Sequence, residues 1–113
     1  MTVRAKRLID GSRLTASLAV YYTAPANTKA VIHKLTLTNT TATARTVTLY
    51  LVPSGSVAGT NNMLLSGVAV PANYCLDVTE AIGHVLEAGG TIQALADSAT
   101  SVTIQASGVE IAG

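Results

Sequence analysis

Alternating apolar and polar positions dominate the chain, and the longest clear case runs from Lys29 to Val52. Val31, His33, Leu35 and Leu37 alternate with Ile32, Lys34, Thr36 and Thr38, and Val47, Leu49 and Leu51 alternate with Thr46, Thr48 and Tyr50. That is the two-residue period of a half-buried strand. The small, polar stretch Asn39-Thr40-Thr41-Ala42-Thr43-Ala44 lies between the two runs, so the pattern predicts a hairpin with one apolar and one threonine-lined face. A lone hairpin is only marginally stable in water, and the other segments are expected to cover its apolar face.

Those segments read as further short strands. Leu14, Ala16, Leu18, Val20 and Tyr22 share one parity over Arg13–Thr23, which leaves Tyr21 pointing outward as a contact anchor or a rim tyrosine. Pro25-Ala26-Asn27 turns the chain, and Pro71-Ala72-Asn73 repeats that turn later. Pro53–Asn62 has no periodicity and reads as a contact loop or a surface insertion. Met63–Val70 predicts a strand kinked at Gly67, and Tyr74, Leu76 and Val78 another. Thr79–His84 suits a single helical turn ended by Gly83. Ile92, Ala94 and Ala96 alternate, as do Val102, Ile104 and Ala106; Val109 and Ile111 then fall on the opposite parity, which predicts a bulge at Gly108. About eight short strands at roughly 8–12-residue spacing predict an all-β chain, a single antiparallel β-sandwich of jelly-roll or Greek-key type.

Composition narrows this picture. The 113 residues suit one domain able to bury a core unaided. Residues 1–12 read as a basic N-terminal arm or edge strand and residues 13–113 as the sandwich. One cysteine excludes an intrachain disulfide, and Cys75 is expected as a small buried apolar side chain. Charged residues make up 12% of the chain, about half the usual share, as expected of a surface that lies against other protein. All seven basic residues fall within the first 45 positions, whereas Asp77, Glu80, Glu87, Asp97 and Glu110 follow with no base among them. Either the two sets occupy separate faces, so that copies meet by complementary potential, or the strands interleave and the charges mix. Arg4, Lys6 and Arg7 crowd the opening, and with Arg13 and Tyr21 they are the candidate partner contacts. The basic cluster is short and lacks stacking aromatics, so nucleic acid is not an expected partner. No apolar run approaches the roughly 18 residues that cross a bilayer, and no apolar signal core follows the first basic residues, so neither a membrane partner nor classical secretion is expected.

Chemistry-bearing patterns are sparse. His33 and His84 are the only histidines and neither pairs at metal-ligand spacing with the other or with Cys75. His33 falls in the inward phase of its strand. His84 follows Asp77 and Glu80, a grouping that suits a solvated turn better than a metal cluster or an acid–base pair. No Gly-x-Ser-x-Gly elbow occurs, and four tyrosines without tryptophan make a poor sugar cleft. No catalytic, metal or cofactor site is expected, and the reading is non-enzymatic. Asn39-Thr40-Thr41 matches a glycosylation acceptor, an accidental match on a chain without a secretion signal.

A resemblance goes further. Tyr22-Thr23-Ala24-Pro25-Ala26-Asn27-Thr28-Lys29-Ala30-Val31, Leu37-Thr38-Asn39-Thr40, Val47-Thr48-Leu49-Tyr50-Leu51-Val52, Val85-Leu86-Glu87-Ala88-Gly89-Gly90-Thr91-Ile92 and Ser107-Gly108-Val109-Glu110-Ile111 occur in that order. Over residues 20 to 112 the chain resembles small β-sandwich virion proteins of tailed bacteriophages, which serve as capsid decoration (cement) proteins or as tail and fibre accessory proteins. Gly89-Gly90 departs from that family's usual Gly-Asp. The resemblance implies a structural virion protein on the capsid surface, a homo-oligomer with a trimer as one form, whose partner is the major capsid protein or another virion protein and which stabilises the head by bridging capsomers. The alternative is a tail or head-fibre module that binds the host surface or glycans through Pro53–Asn62 with Tyr21 or Tyr74.

Overall fold

In a computed structural model describing residues 1–113, nearly every alternating run becomes a strand. They are β1 (Thr2–Arg13), β2 (Ala19–Thr23), β3 (Thr28–Asn39), β4 (Arg45–Val52), β5 (Met63–Val70), β6 (Cys75–Asp77), β7 (Val85–Leu86), β8 (Thr91–Ala96) and β9 (Val102–Ala112). The single helical turn is a 3-10 turn at Thr79–Ala81. One sheet has the order β1-β9-β3, with β6 and β7 both on the far side of β3, and the second has the order β2-β8-β4-β5. All pairs are antiparallel. This strand order, two Greek keys wound into facing sheets, is a jelly roll.

The expected hairpin of Lys29–Val52 does not form. Both strands are present, but β3 pairs with β9, β6 and β7, and β4 pairs with β5 and β8, in the other sheet. Their apolar faces meet across the core: Ile32, Leu35 and Leu37 from β3, with Val47 and Leu49 from β4, are all fully buried. Facing packing covers both apolar surfaces at once, whereas side-by-side pairing would leave them on one uncovered sheet. Asn39 makes the crossing possible. Its Nδ2 donates to the carbonyls of Thr43 (2.8 Å) and Val70 (3.0 Å), and its Oδ1 accepts from the Thr41 N–H (2.9 Å). The side chain of the sequon asparagine is therefore used up inside the corner, at 1% exposure.

β9 keeps one parity throughout. Val102, Ile104, Ala106, Gly108 and Glu110 all point inward, and Val109 and Ile111 lie on the outer face. The irregularities expected at Gly108 fall instead on the two flanking strands. β3 carries an extra residue between Ile32 and Lys34, and β1 one between Arg7 and Ile9. The extra residue in β3 is His33, which is exposed and not inward-facing; a bulge reverses parity beyond it, a shift that strict alternation cannot reveal. Gly108 is required at the point of closest approach, since a Cβ there would collide with the Val31 carbonyl oxygen.

β1 is the outermost strand of its sheet and is paired with β9 from Thr2↔Ala112 to Arg13↔Thr103. Leu8 and Ile9 belong to the core. The Arg13–Thr23 run is shorter than its pattern suggested, with β2 starting at Ala19 and both Leu18 and Val20 exposed. Cys75, expected inside, is exposed on edge strand β6. Its register partner is Thr38, an outward-facing position, and Leu76 takes the inward one.

Candidate assembly surface

The charged residues resolve first. Arg4 and Lys6 reach the carboxylate of Glu110 (3.8 and 3.5 Å), Lys29 pairs with Glu87, Lys34 with Asp77 (3.1 Å) and Arg7 with Asp10. Most of these pairs join the basic early segment to the acidic later one, because β9, β6 and β7 all flank strands from the first third of the chain. The charges mix through strand interleaving, and the separation along the sequence produces no separate faces.

The five sequence-predicted contact residues are not brought into one patch. Arg4 and Lys6 lie on the inward parity of β1 over Glu110. Arg7, on the outward parity, donates to the Asp10 carbonyl and to Gln105. Arg13 donates to the Thr100 carbonyl at the far end of the strand. Tyr21 is half-buried against the core, its hydroxyl accepting from the Thr15 N–H (3.2 Å). Tyr74 and the Pro53–Asn62 loop sit at opposite ends of the sandwich: the Tyr74 carbonyl accepts from the Asn39 N–H, whereas the loop leaves β4 at Val52, opposite Thr91.

Glu110 organises an unusual end to the first sheet. It is 4% exposed, on the inward face, and accepts a 2.5 Å bond from the Tyr22 hydroxyl, which crosses from the second sheet. Burial first, then the hydrogen bond and negative charge of Glu110, hold the Tyr22 phenol well above the ordinary tyrosine range. Arg4 and Lys6 complete the group, so the carboxylate is desolvated yet partnered on several sides.

The outer face at this same end is apolar. Ala5, Val109, Val31 and Val85 form one row across β1, β9, β3 and β7, and Val3 and Ile111 begin the next, beside Lys29. Val3 is 55% and Val85 50% exposed, and Val31, Val109 and Ile111 are partly so. In these two rows the usual arrangement is exchanged, with the Glu110 carboxylate inside, the exposed cations Arg4 and Lys6 reaching it from the edge strand, and a valine-rich surface outside. The sequence signal was the change of apolar parity at Val109 and Ile111; it marked not a phase shift of β9 but an exterior apolar surface. At the same end, Val85 and Leu86 border a cleft of about 400 Å³ with Leu51, Met63 and Leu64, reached by Asn61, His84 and Glu87. His84 lies beside the strand that carries His33, its carbonyl accepting from the Ile32 N–H, but no three His, Cys, Asp or Glu side chains approach closely enough to hold a metal ion. No helix is long and apolar enough to cross a membrane.

No protein-family model matches the sequence, and no curated protein matches it. Among solved structures, the chain is similar to one from work on Bacillus endospore appendages, described as a novel family of disulfide-linked pili. The match has 17% identity and a TM-score of 0.58, over 98% of this chain and 88% of that one. Structures of infectious bursal disease virus, strains Gx and Gt, align at 15% and 14% identity with TM-scores of 0.36. They cover 99% and 96% of this chain but 32% and 30% of theirs. At these identities the pilus likeness is one of fold: the chain is a two-sheet antiparallel β-sandwich of the kind seen in that appendage subunit.

Proposed function

We propose that this protein is a non-enzymatic structural subunit of a larger assembly, and, following its sequence resemblance, a decoration protein on the head of a tailed bacteriophage. The observation that carries the reading is the exposed Val3, Ala5, Val31, Val85, Val109 and Ile111 surface over a buried Glu110. A free-standing domain gains nothing from placing a carboxylate inside and its valines outside, whereas a subunit covered by protein gains buried area. Low charge content and a fold shared with a pilus subunit support the same reading. A decoration subunit acts by linkage: it binds the assembled, expanded shell, not the free capsomer, and so stabilises the shell against internal pressure. This chain has one cysteine, Cys75. One thiol links two chains and no more, so an assembly of many copies is not held by disulfides alone.

A tail or head-fibre module remains the second reading, favoured by the cleft beside Pro53–Asn62. No tyrosine lines that cleft, so it lacks the stacking surface that sugar recognition uses. Copy number separates the two. Quantitative mass spectrometry of purified particles is expected to find this chain in proportion to the capsomers. A handful of copies per particle would favour the fibre reading, and absence from every particle would remove both.

A further inference from the structure

We infer that the apolar end of the first sheet's outer face is a self-association surface, on which a second copy of this chain packs its own identical face about a two-fold axis; this rests on the assembly reading above.

The choice of partner follows from the charges bordering the patch. Lys29 and Glu87 stand beside Val85 and Ile111, and the next outer-face positions carry Arg7, Lys34, Asp10 and Asp77. These are three bases and three acids. A polyanion such as nucleic acid or an anionic lipid surface would select a one-signed rim. A balanced rim around an apolar centre is what a surface complementary to itself carries, since a two-fold contact sets each patch against its own copy. β1 and β3 have twelve residues each and β9 eleven, and at about 3.4 Å per residue and 4.8 Å between strands the whole outer face spans roughly 600–700 Å², of which the two apolar rows are the smaller part. A stable interface removes about 800 Å² per partner, so the contact runs from the apolar rows across the polar remainder of the face and its rim side chains. The apolar rows then form the dry centre and the ion pairs the rim.

Geometry also favours flat packing here. β9 is regular from Val102 to Ala112 and the bulges of β1 and β3 displace Leu8 and His33 next to, not within, the apolar rows. The rows Val3–Ile111–Lys29 and Ala5–Val109–Val31–Val85 are therefore in unbroken register. Unbroken rows let valines of facing sheets interdigitate.

The test uses the full chain in analytical ultracentrifugation across a wide concentration range, with Val109→Glu at the patch centre and Val85→Lys on the exposed two-residue strand β7. Each variant is expected to weaken self-association roughly thirtyfold or more, as a hot-spot loss does, with far-ultraviolet dichroism unchanged. Should Val109→Glu fail to fold, Val85→Lys decides. In a Cys75→Ser background, Val109→Cys is expected to form a disulfide-linked dimer on mild oxidation, because a two-fold through the patch brings that residue near its copy. Association that persists in both variants without the crosslink overturns this surface and leaves the assembly reading standing. A wild-type chain that is monomeric throughout overturns the self-partner; if it still binds particles the assembly reading survives, and if it binds none both fall.

Discussion

Gly108 is the residue at which the geometry is least forgiving. Val31 of the bulged β3 approaches so closely that any side chain collides with its carbonyl, and the obstacle is backbone, which cannot swing aside. Gly108→Ala is expected to destabilise the fold by roughly 2–4 kcal/mol, read as a shift in the urea midpoint at unchanged slope. Tyr22 is the second sensitive position. Tyr22→Phe removes the hydroxyl from Glu110 while Arg4 and Lys6 remain, an expected loss of about 1–2 kcal/mol. Because the folded phenol titrates above its unfolded value, the stability it supplies is complete below about pH 10 and declines as pH rises through the range between the unfolded and folded values. Denaturation at stepwise alkaline pH is expected to show that decline in the wild type, with the part owed to Tyr22 gone in Tyr22→Phe. Single residues were the scale least legible in the sequence. Glu110 looks like a surface acid among alternating valines, and only the approach of Tyr22 from another strand gives it a buried role. His33 and Cys75 were misplaced for local reasons, a bulge in one case and an edge strand too short to bury its outward side in the other.

At the level of elements, the strands themselves were legible because period-two alternation depends only on near neighbours. Their pairing was not, since it depends on which apolar faces meet after folding. The Asn39–Ala44 link looks like a hairpin turn, yet it spans two sheets, and the deciding feature is the buried amide of Asn39. Asn39→Ala leaves the Val70 carbonyl and the Thr41 N–H without their partner, and is expected to destabilise by about 2–4 kcal/mol in thermal or chemical denaturation. β1 gives a second element-scale test. Residues 1–7 are exposed, but Leu8 and Ile9 are core, each contributing roughly 1.5–3 kcal/mol by burial. Deleting Met1–Arg7 is expected to leave a folded, less stable domain with β9 newly at an edge. Deleting Met1–Ile9 is expected to abolish the cooperative unfolding transition.

For the whole molecule, the sandwich architecture was legible from the number and spacing of the strands, and the candidate surface was legible only as a parity change that reads as a bulge at Gly108. Separated charge along the sequence suggested two electrostatic faces, but the jelly-roll winding sets late strands beside early ones and cancels the asymmetry locally. That same winding brings Thr2 opposite Ala112, with the Gly113 N–H donating to the Asn27 carbonyl. The polypeptide is thus almost a closed loop, and a short linker from residue 113 to residue 1 should allow it to be reopened within Pro53–Asn62 with the dichroism spectrum retained, whereas reopening between Asn39 and Arg45 should not. A practical corollary concerns labelling: any tag fused at either terminus emerges beside Val3 and Ile111 and crowds the valine rows, so a fluorophore or affinity handle belongs at Ser98–Ala99, on the opposite rim, where it leaves docking undisturbed.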